Sequence, residues 1–183
     1  MTISARTTRR SASLMARQES AYHEARLLIL MSAFTDPGEE FVGLTKLVKL
    51  DFLLRYPMMT TRLLPPQIYW PAGTGPTEAE EKAVESRMVR YKYGPWDDRY
   101  YPLLGALAGK HLIRFSRRDR FGAVVTDHGR EAAVTLSRFS EWSVVARRAE
   151  FLKDNFNLTG AELKERIYAG LPDVVDLPMK SEI

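Results

Sequence analysis

The residues best suited to chemistry are scarce in this chain, which has no cysteine and three histidines. Without cysteine, thiol nucleophiles, cysteine-ligated zinc, iron–sulfur clusters and disulfides are excluded. His23, His111 and His128 lie on separate predicted elements and lack the i, i+4 partner of a helical metal site. There is no G-x-S-x-G motif, and the glycine-rich stretch 72–75 lacks the Gly-Lys-Ser/Thr of a phosphate-binding loop. We therefore predict no catalytic residue, no metal, no cofactor and no small-molecule substrate, and thus no enzyme.

Two acidic positions lie where a carboxylate could act. Asp51 is on the apolar stripe of a predicted helix, and Arg55 follows four residues later. This spacing predicts an ion pair at the surface or rim, and half of a catalytic acid pair is the alternative. Asp127 precedes His128 at a predicted helix start, where an acid is favoured by the helix dipole and the histidine is expected to be solvated or stacked.

Basic residues are concentrated around one predicted hairpin. Five cations lie there with Asp119 as their only opposing charge: Lys110, Arg114, Arg117, Arg118 and Arg120. Such a hairpin suits contact with DNA phosphates, and a solvated loop tip is the alternative. The formal net charge of only +4 favours modest, salt-sensitive binding over a dedicated sequence reader. Asp97 and Asp98, at the start of the preceding helix, also disfavour reading of a major groove.

An aromatic cluster surrounds Gly94-Pro95. Its members are Tyr91, Tyr93, Trp96, Tyr100 and Tyr101. The first four are candidates for a partner interface or for packing at the rim of the core, and a platform for stacked bases is a further alternative.

The helices and strands that position these residues are predicted from the spacing of apolar residues and from the capping residues, glycines and prolines that begin and end each element. Helices are predicted at 14–34, 45–56, 58–64, 96–109, 126–155 and 159–170, with a further short helix from Thr77 and strands at 88–93, 111–115 and 121–126. The T-x-x-E pattern predicts capping boxes at Thr77 and Thr159. Segment 45–56 is apolar on both flanks, so we expect it to be buried on more than one side. The fold class is therefore α+β, mainly α with a small antiparallel sheet. The order strand, helix, hairpin and long helix, after two helices, predicts a winged helix with additional N- and C-terminal helices.

We divide the chain into three parts. Residues 1–13 form a flexible basic tail, for which an organellar presequence is the alternative, and residues 14–155 form the winged helix with an inserted loop at 65–76. Residues 156–183 form a C-terminal helix and an extended docking tail. Because that helix is too short to be stable alone, Leu163, Ile167 and Tyr168 must pack on the domain or enter a partner's groove. No apolar run is long enough to span a bilayer, so we predict a cytoplasmic protein without membrane contact.

Three separated blocks, at 44–57 (L-T-K-L-V-K-L-D-F-L-L-R-Y-P), 85–97 and 156–172, carry a resemblance to a known family. They resemble the middle components of bacterial ABC-three-component systems of the Lamassu type. The resemblance implies a non-catalytic adaptor in antiviral or anti-plasmid defence. Its partners would be an SMC/Rad50-like ABC ATPase, a nuclease-like effector and double-stranded DNA. The alternative is a free-standing winged-helix transcription regulator or antitoxin, which would bind its own promoter.

Overall fold

The computed structural model describes residues 3–78, 80, 89–91, 94–117 and 119–175, with side chains for 18–78, 80, 97–117 and 119–174. In chain order the elements are α1 (Ile3–Phe34), β1 (Glu40–Val42), α2 (Leu44–Arg55), α3 (Pro57–Leu63), β2 (Val89–Tyr91), β3 (Gly94–Trp96), α4 (Tyr100–Gly109), β4 (Ile113–Phe115), β5 (Gly122–Val125), α5 (Asp127–Leu136), α6 (Ser140–Phe156), α7 (Gly160–Gly170) and α8 (Pro172–Val175). The described chain is mostly helical with a small antiparallel sheet, so the α+β prediction is confirmed. The first helix begins at Ile3, upstream of the start predicted at Leu14.

The main sheet has three antiparallel strands in the order β1-β5-β4. The predicted hairpin is confirmed as β4 and β5, with Ile113 opposite Val125 and Phe115 opposite Ala123. Strand β1 is not among the predicted elements; it is only three residues long and pairs Val42 with Gly122 far along the chain. A strand of this length shows no alternation that periodicity could detect.

The core is centred on α1 and α2. Five consecutive residues of α1, Leu27 to Met31, are at most 3% exposed, and Leu47, Leu50 and Leu53 of α2 are fully buried. α1 packs against α4, α5 and α6, whereas α2 packs against α3, α6 and α7. The prediction that α2 is buried on more than one side is therefore confirmed, because every residue from Leu47 to Arg55 is buried.

Two boundaries around α4 differ from the prediction. Gly94-Pro95 does not end a strand but belongs to β3, in which Pro95 lies opposite Arg90 of β2. A two-stranded hairpin tolerates proline because both of its strands are edges. The helix starts at Tyr100, not at Trp96. The Asp97 carboxylate instead accepts a hydrogen bond from the backbone N–H of Arg99, at 3.0 Å, which forms a turn before the helix.

The long helix predicted to reach Asn155 is two helices. α5 ends at Leu136, and the turn Ser137–Phe139 precedes α6. The Phe139 N–H bonds to the Leu136 carbonyl three residues back at 2.9 Å, and the Ser137 hydroxyl bonds to the Ala133 carbonyl at 2.7 Å. These local bonds replace the helical pattern and separate α5 from α6.

The C-terminal segment packs on the body of the domain. Leu163, Ile167 and Leu171 are fully buried, and Val174 is 3% exposed. The predicted capping box at Thr159 is confirmed, with the Thr159 side chain accepting from the Glu162 N–H and the Glu162 carboxylate accepting in return. Residues 172–175 form the short helix α8, which corrects the extended tail predicted there. The remainder of that tail, 176–183, lies outside the described residues.

Further bonds fix the same segment. The Arg62 guanidinium of α3 donates two hydrogen bonds to Asp173, at 2.9 and 2.5 Å, and Arg166 donates to the Leu63 carbonyl at 3.0 Å. The sequence left open whether this helix packs on the domain or enters a partner's groove. In the structure it packs on the core of its own chain.

Gly129, in the first turn of α5, has a packing role that gives a testable prediction. A Cβ at this position would overlap the carbonyl oxygen of Leu112. We expect Gly129→Ala to lower the free energy of unfolding by about 1–3 kcal/mol, although alanine is the better helix former. Gly105 of α4 is the matched control because a Cβ added there would have no atom within 4 Å. Gly105→Ala should stabilise the protein by about 0.5–1 kcal/mol in urea unfolding, and equal effects of the two variants would contradict the packing role.

Candidate functional site

The basic hairpin projects three described arginines into solvent. Arg114 is on β4, whereas Arg117 and Arg120 are in the loop between β4 and β5, and all three are exposed. No described residue forms an ion pair with any of them. Arg118 lies outside the described residues. The hairpin therefore presents a cluster of guanidinium groups that are available to an anionic partner.

The base of this hairpin is held by local contacts. The Phe115 and Phe121 rings meet edge to face, with centroids 6.2 Å apart, and the Ser116 N–H bonds to the Gly122 carbonyl at 2.9 Å. Phe115 remains 44% exposed. An aromatic pair of this kind is worth roughly 0.5–1.5 kcal/mol beyond its burial, so the arginines extend from an ordered base.

Lys110, the first of the five predicted DNA contacts, is engaged within the chain. Its ammonium group forms an ion pair with Glu24 of α1, whose side chain is 8% exposed. This contact ties the end of α4 to α1. The charge of Lys110 is therefore partly compensated by Glu24, and its ammonium group, on a side chain that is 55% exposed, offers only its remaining N–H donors to a phosphate.

The outward face of α4 has almost no polar side chains. The sequence of the helix, YYPLLGALAG, contains no charged residue. Tyr101 is 65% exposed, and Pro102, Gly105 and Gly109 are also exposed. Reading of base pairs requires side chains such as Arg, Lys, Asn or Gln that bond to base edges. A helix of this composition lacks that ability.

Behind α4 lies a buried polar cluster centred on Asp51. The Arg26 guanidinium donates from Nε and Nη2 to the two Asp51 carboxylate oxygens, at 2.7 and 3.1 Å. The Tyr100 hydroxyl donates to the same carboxylate at 2.7 Å. Burial would raise the pKa of Asp51, but the nearby positive charges of Arg26 and Arg55 and these hydrogen bonds lower it below its ordinary value. Asp51 thus stays ionised although it is fully buried.

The ion pair predicted between Asp51 and Arg55 is wrong. Arg55 instead bonds to Asp97 at 3.2 Å, and Arg99 binds the two Asp97 oxygens at 2.9 and 2.7 Å. Burial opposes ionisation of Asp97, but the hydrogen bonds and charge of Arg99 together with Arg55 lower its pKa to about 2. The pairing changes because Arg26, on another helix, reaches Asp51 in a bidentate geometry.

His23 lies between two of these guanidinium groups. Its Nδ1 is 2.7 Å from Arg26 Nη1, its Nε2 is 3.0 Å from Arg99 Nη1, and the residue is 3% exposed. Burial and the charges of Arg26, Arg99 and Arg55 lower the pKa of His23 to about 4, against an opposing effect of Asp51. A neutral imidazole has one acceptor nitrogen, and the shorter of the two contacts, at 2.7 Å, assigns that role to Nδ1 with Arg26 as the donor and the proton to Nε2.

This environment predicts a pH dependence of stability. The folded state keeps His23 neutral down to about pH 4, whereas the unfolded chain protonates it near pH 6.5. Stability is therefore full above pH 6.5 and falls as the pH decreases, by roughly 2 kcal/mol between pH 7 and pH 5. Urea unfolding at pH 7, 6 and 5 would measure the loss. His23→Gln should abolish it, and His128→Gln, at an exposed position, should retain it. A stability that is level across this range would contradict the assignment.

Another buried arginine, Arg148, holds the inserted loop in place. Arg148 of α6 donates to the carbonyls of Thr74 and Gly75 at 2.6 and 2.8 Å and to the Glu80 carboxylate at 2.5 and 3.0 Å. The glycine-rich stretch therefore directs its carbonyl oxygens at an arginine, which gives it a structural role. The capping contacts predicted at Thr77 are present, with the Glu80 N–H 3.2 Å from the Thr77 hydroxyl.

The predicted partner-interface residues divide into three groups. Tyr100, Leu163 and Ile167 are at most 1% exposed, so their assignment to a partner surface is corrected to the core of this chain. Tyr168 is half-buried beside Lys164, whose ammonium lies 5.3 Å from its ring. Only the backbone is described for Tyr91 and Trp96, and Tyr93 lies outside the described residues.

The main residues that sequence reasoning missed are His23, Arg26 and Arg148. Each is a polar residue on a helix face that otherwise enters the core, and the spacing of three between His23 and Arg26 was the signal available. Within the part of the chain that the structure describes, no three His, Cys, Asp or Glu side chains converge as a metal site requires. In the same part, no helix has both the length and the apolar character needed to cross a bilayer.

Comparison of the chain with protein-family models, with curated proteins and with solved structures finds no significant match.

Proposed function

We propose that the chain is a cytoplasmic, non-catalytic winged-helix adaptor that contacts double-stranded DNA through the β4–β5 hairpin. The observation that carries this proposal is the topology. A winged helix places a first helix and strand, two further helices and a hairpin in this order, with the first strand beside the last. Here α1, β1, α2, α4, β4 and β5 follow that order, and β5 lies between β1 and β4.

The chemistry of the two exposed surfaces indicates how DNA would be bound. The hairpin offers Arg114, Arg117 and Arg120 to phosphates, whereas α4 offers no charged side chain to base edges. Phosphate contacts supply affinity and position but carry no sequence information. Binding should therefore be sequence-independent, which favours an adaptor over the alternative of a transcription regulator.

The partners follow from the resemblance of the three sequence blocks to the middle components of ABC-three-component systems. An SMC/Rad50-like ATPase would supply the nucleotide chemistry that this chain lacks motifs for, and a nuclease-like effector would be the second partner. Co-purification with the ATPase encoded beside it, as a stoichiometric complex in gel filtration, would support this role. Tight binding of the isolated chain to its own promoter alone would support the regulator instead.

The hairpin gives a quantitative prediction. Each phosphate contact contributes about 0.9 to the slope of log K against log salt, so Arg117→Ala with Arg120→Ala should lower the slope by about two. Fluorescence anisotropy on two duplexes of unrelated sequence should give the same loss. Arg138→Ala, an exposed arginine after α5, is the control and should leave the slope unchanged. If the double variant leaves the slope unchanged, the two arginines do not contact phosphates and the hairpin is a solvated loop.

A further inference from the structure

A cavity of about 320 Å³ lies between α1, the C-terminal end of α2 and α6. Its volume falls in the range of small-molecule pockets, roughly 300–1,000 Å³. The walls include the side chains of Tyr22, Leu54, Trp142 and Val145. The rings of Tyr22 and Trp142 pack with their centroids 5.1 Å apart. The cavity therefore combines an aromatic side with an aliphatic side.

Arg26 gives this cavity a positively charged wall. Its side chain is 4% exposed, and it uses three of its N–H groups, two toward Asp51 and one toward His23. Each of its three nitrogens thus has one partner, and because a guanidinium has five N–H donors, one N–H on Nη1 and one on Nη2 are not used in these bonds. A buried donor without an acceptor is costly, whereas the cavity leaves room for an acceptor supplied by a ligand.

Glu141 limits the charge that such a ligand can carry. It lines the same cavity from the first turn of α6, it is exposed, and no described residue forms an ion pair with it. Three more charged side chains line the cavity, Arg55, Arg148 and Glu80, but Arg55 bonds to Asp97 and Arg148 bonds to Glu80. A ligand carboxylate would bind the Arg26 donors, whereas a second negative charge near Glu141 would be repelled. The apolar walls favour a hydrocarbon or aromatic body over a sugar.

We propose that this cavity is a binding site for a small organic monocarboxylate with an apolar or aromatic body. The carboxylate accepts the two remaining N–H bonds of Arg26, and the body packs against Trp142, Leu54 and Val145. Charge-assisted bonds between guanidinium and carboxylate have the geometry and strength that this role needs. The cavity is separate from the hairpin, so this proposal does not depend on whether the hairpin binds DNA.

Phenylacetate is a suitable probe, with phenylacetamide as its neutral isostere and phenylmalonate as the dicarboxylate. Isothermal titration calorimetry on the full chain should show saturable binding of phenylacetate. Phenylacetamide should bind about 10- to 100-fold more weakly, because it loses the charge-assisted hydrogen bonds. Phenylmalonate should also bind more weakly than phenylacetate, because of Glu141.

Val145→Phe, which fills the cavity from α6, should abolish binding of phenylacetate. Val134→Phe on α5, where the valine is 56% exposed, is the matched control and should leave binding unchanged. Should Val145→Phe fail to fold, the indole N–H resonance of Trp142 in the unaltered chain provides a second readout, because it should shift saturably with phenylacetate. No saturable binding or shift, equal affinity for the amide, or unchanged binding in a folded Val145→Phe protein would overturn the proposal.

Discussion

Replacing Asp51 by alanine is expected to destabilise the protein by about 3–5 kcal/mol, because the Arg26 charge and the Tyr100 hydroxyl would remain buried without their acceptor. Asp51 and Arg26 are each at most 3% exposed. Tyr100 is 1% exposed, so its hydroxyl cannot recover hydration without opening the contact between α2 and α4. Urea unfolding at pH 7 would measure the loss, which is large against a typical total of about 5–15 kcal/mol.

Two further variants separate the ion pair from mere packing. Tyr100→Phe removes one hydrogen bond and should cost only about 0.5–3 kcal/mol, since it is a single bond to a charged group. The double variant Asp51→Leu with Arg26→Met replaces the ion pair by apolar groups and should be more stable than Asp51→Ala alone. If the double variant is no more stable than Asp51→Ala, the stability lost in Asp51→Ala comes from disturbed packing and not from the unpaired Arg26 charge.

A chain that ends at Asn155 is expected not to fold cooperatively. It lacks five side chains of the core, Phe156, Leu163, Ile167, Leu171 and Val174, none more than 3% exposed. Each Leu→Ala change at such a site typically costs about 2–5 kcal/mol, so losing all five exceeds the stability of an ordinary domain. Circular dichroism and thermal melting of the truncated chain would test this expectation.

A point substitution tests the same packing without shortening the chain. Leu163→Ala should lower the free energy of unfolding by about 2–5 kcal/mol, whereas Glu165→Ala, exposed on the same helix, should change it by less than about 0.5 kcal/mol. A truncated chain that keeps its melting temperature would instead show that α7 is dispensable for folding. That result would favour docking of α7 in a partner's groove.

The features that sequence reasoning predicted depend on local signals. The capping box at Thr159 acts within one turn, the hairpin of β4 and β5 joins neighbouring segments, and the apolar pattern of α2 lies within twelve residues. Each is encoded by residues a few positions apart, and a periodicity or capping rule captures it.

The features that it missed depend on distant partners. Asp51 has Arg55 one turn away, yet it binds Arg26, twenty-five residues earlier, because packing of α1 on α2 brings a bidentate donor to it. The loop carbonyls of Thr74 and Gly75 bind Arg148, more than seventy residues later. No local spacing rule encodes such contacts, since they exist only after the helices have packed.

The position of β1 at the edge of the sheet also bears on how the chain is made. Val42 cannot pair until Gly122 has been synthesised, and at about 5–20 residues per second this interval lasts roughly 4–16 s. During that time the apolar face of α1 is without α6, against which it packs in the folded protein. The growing chain therefore exposes Leu27 to Met31 for seconds, so we expect its yield during synthesis to depend on chaperones and to improve at lower rates of expression.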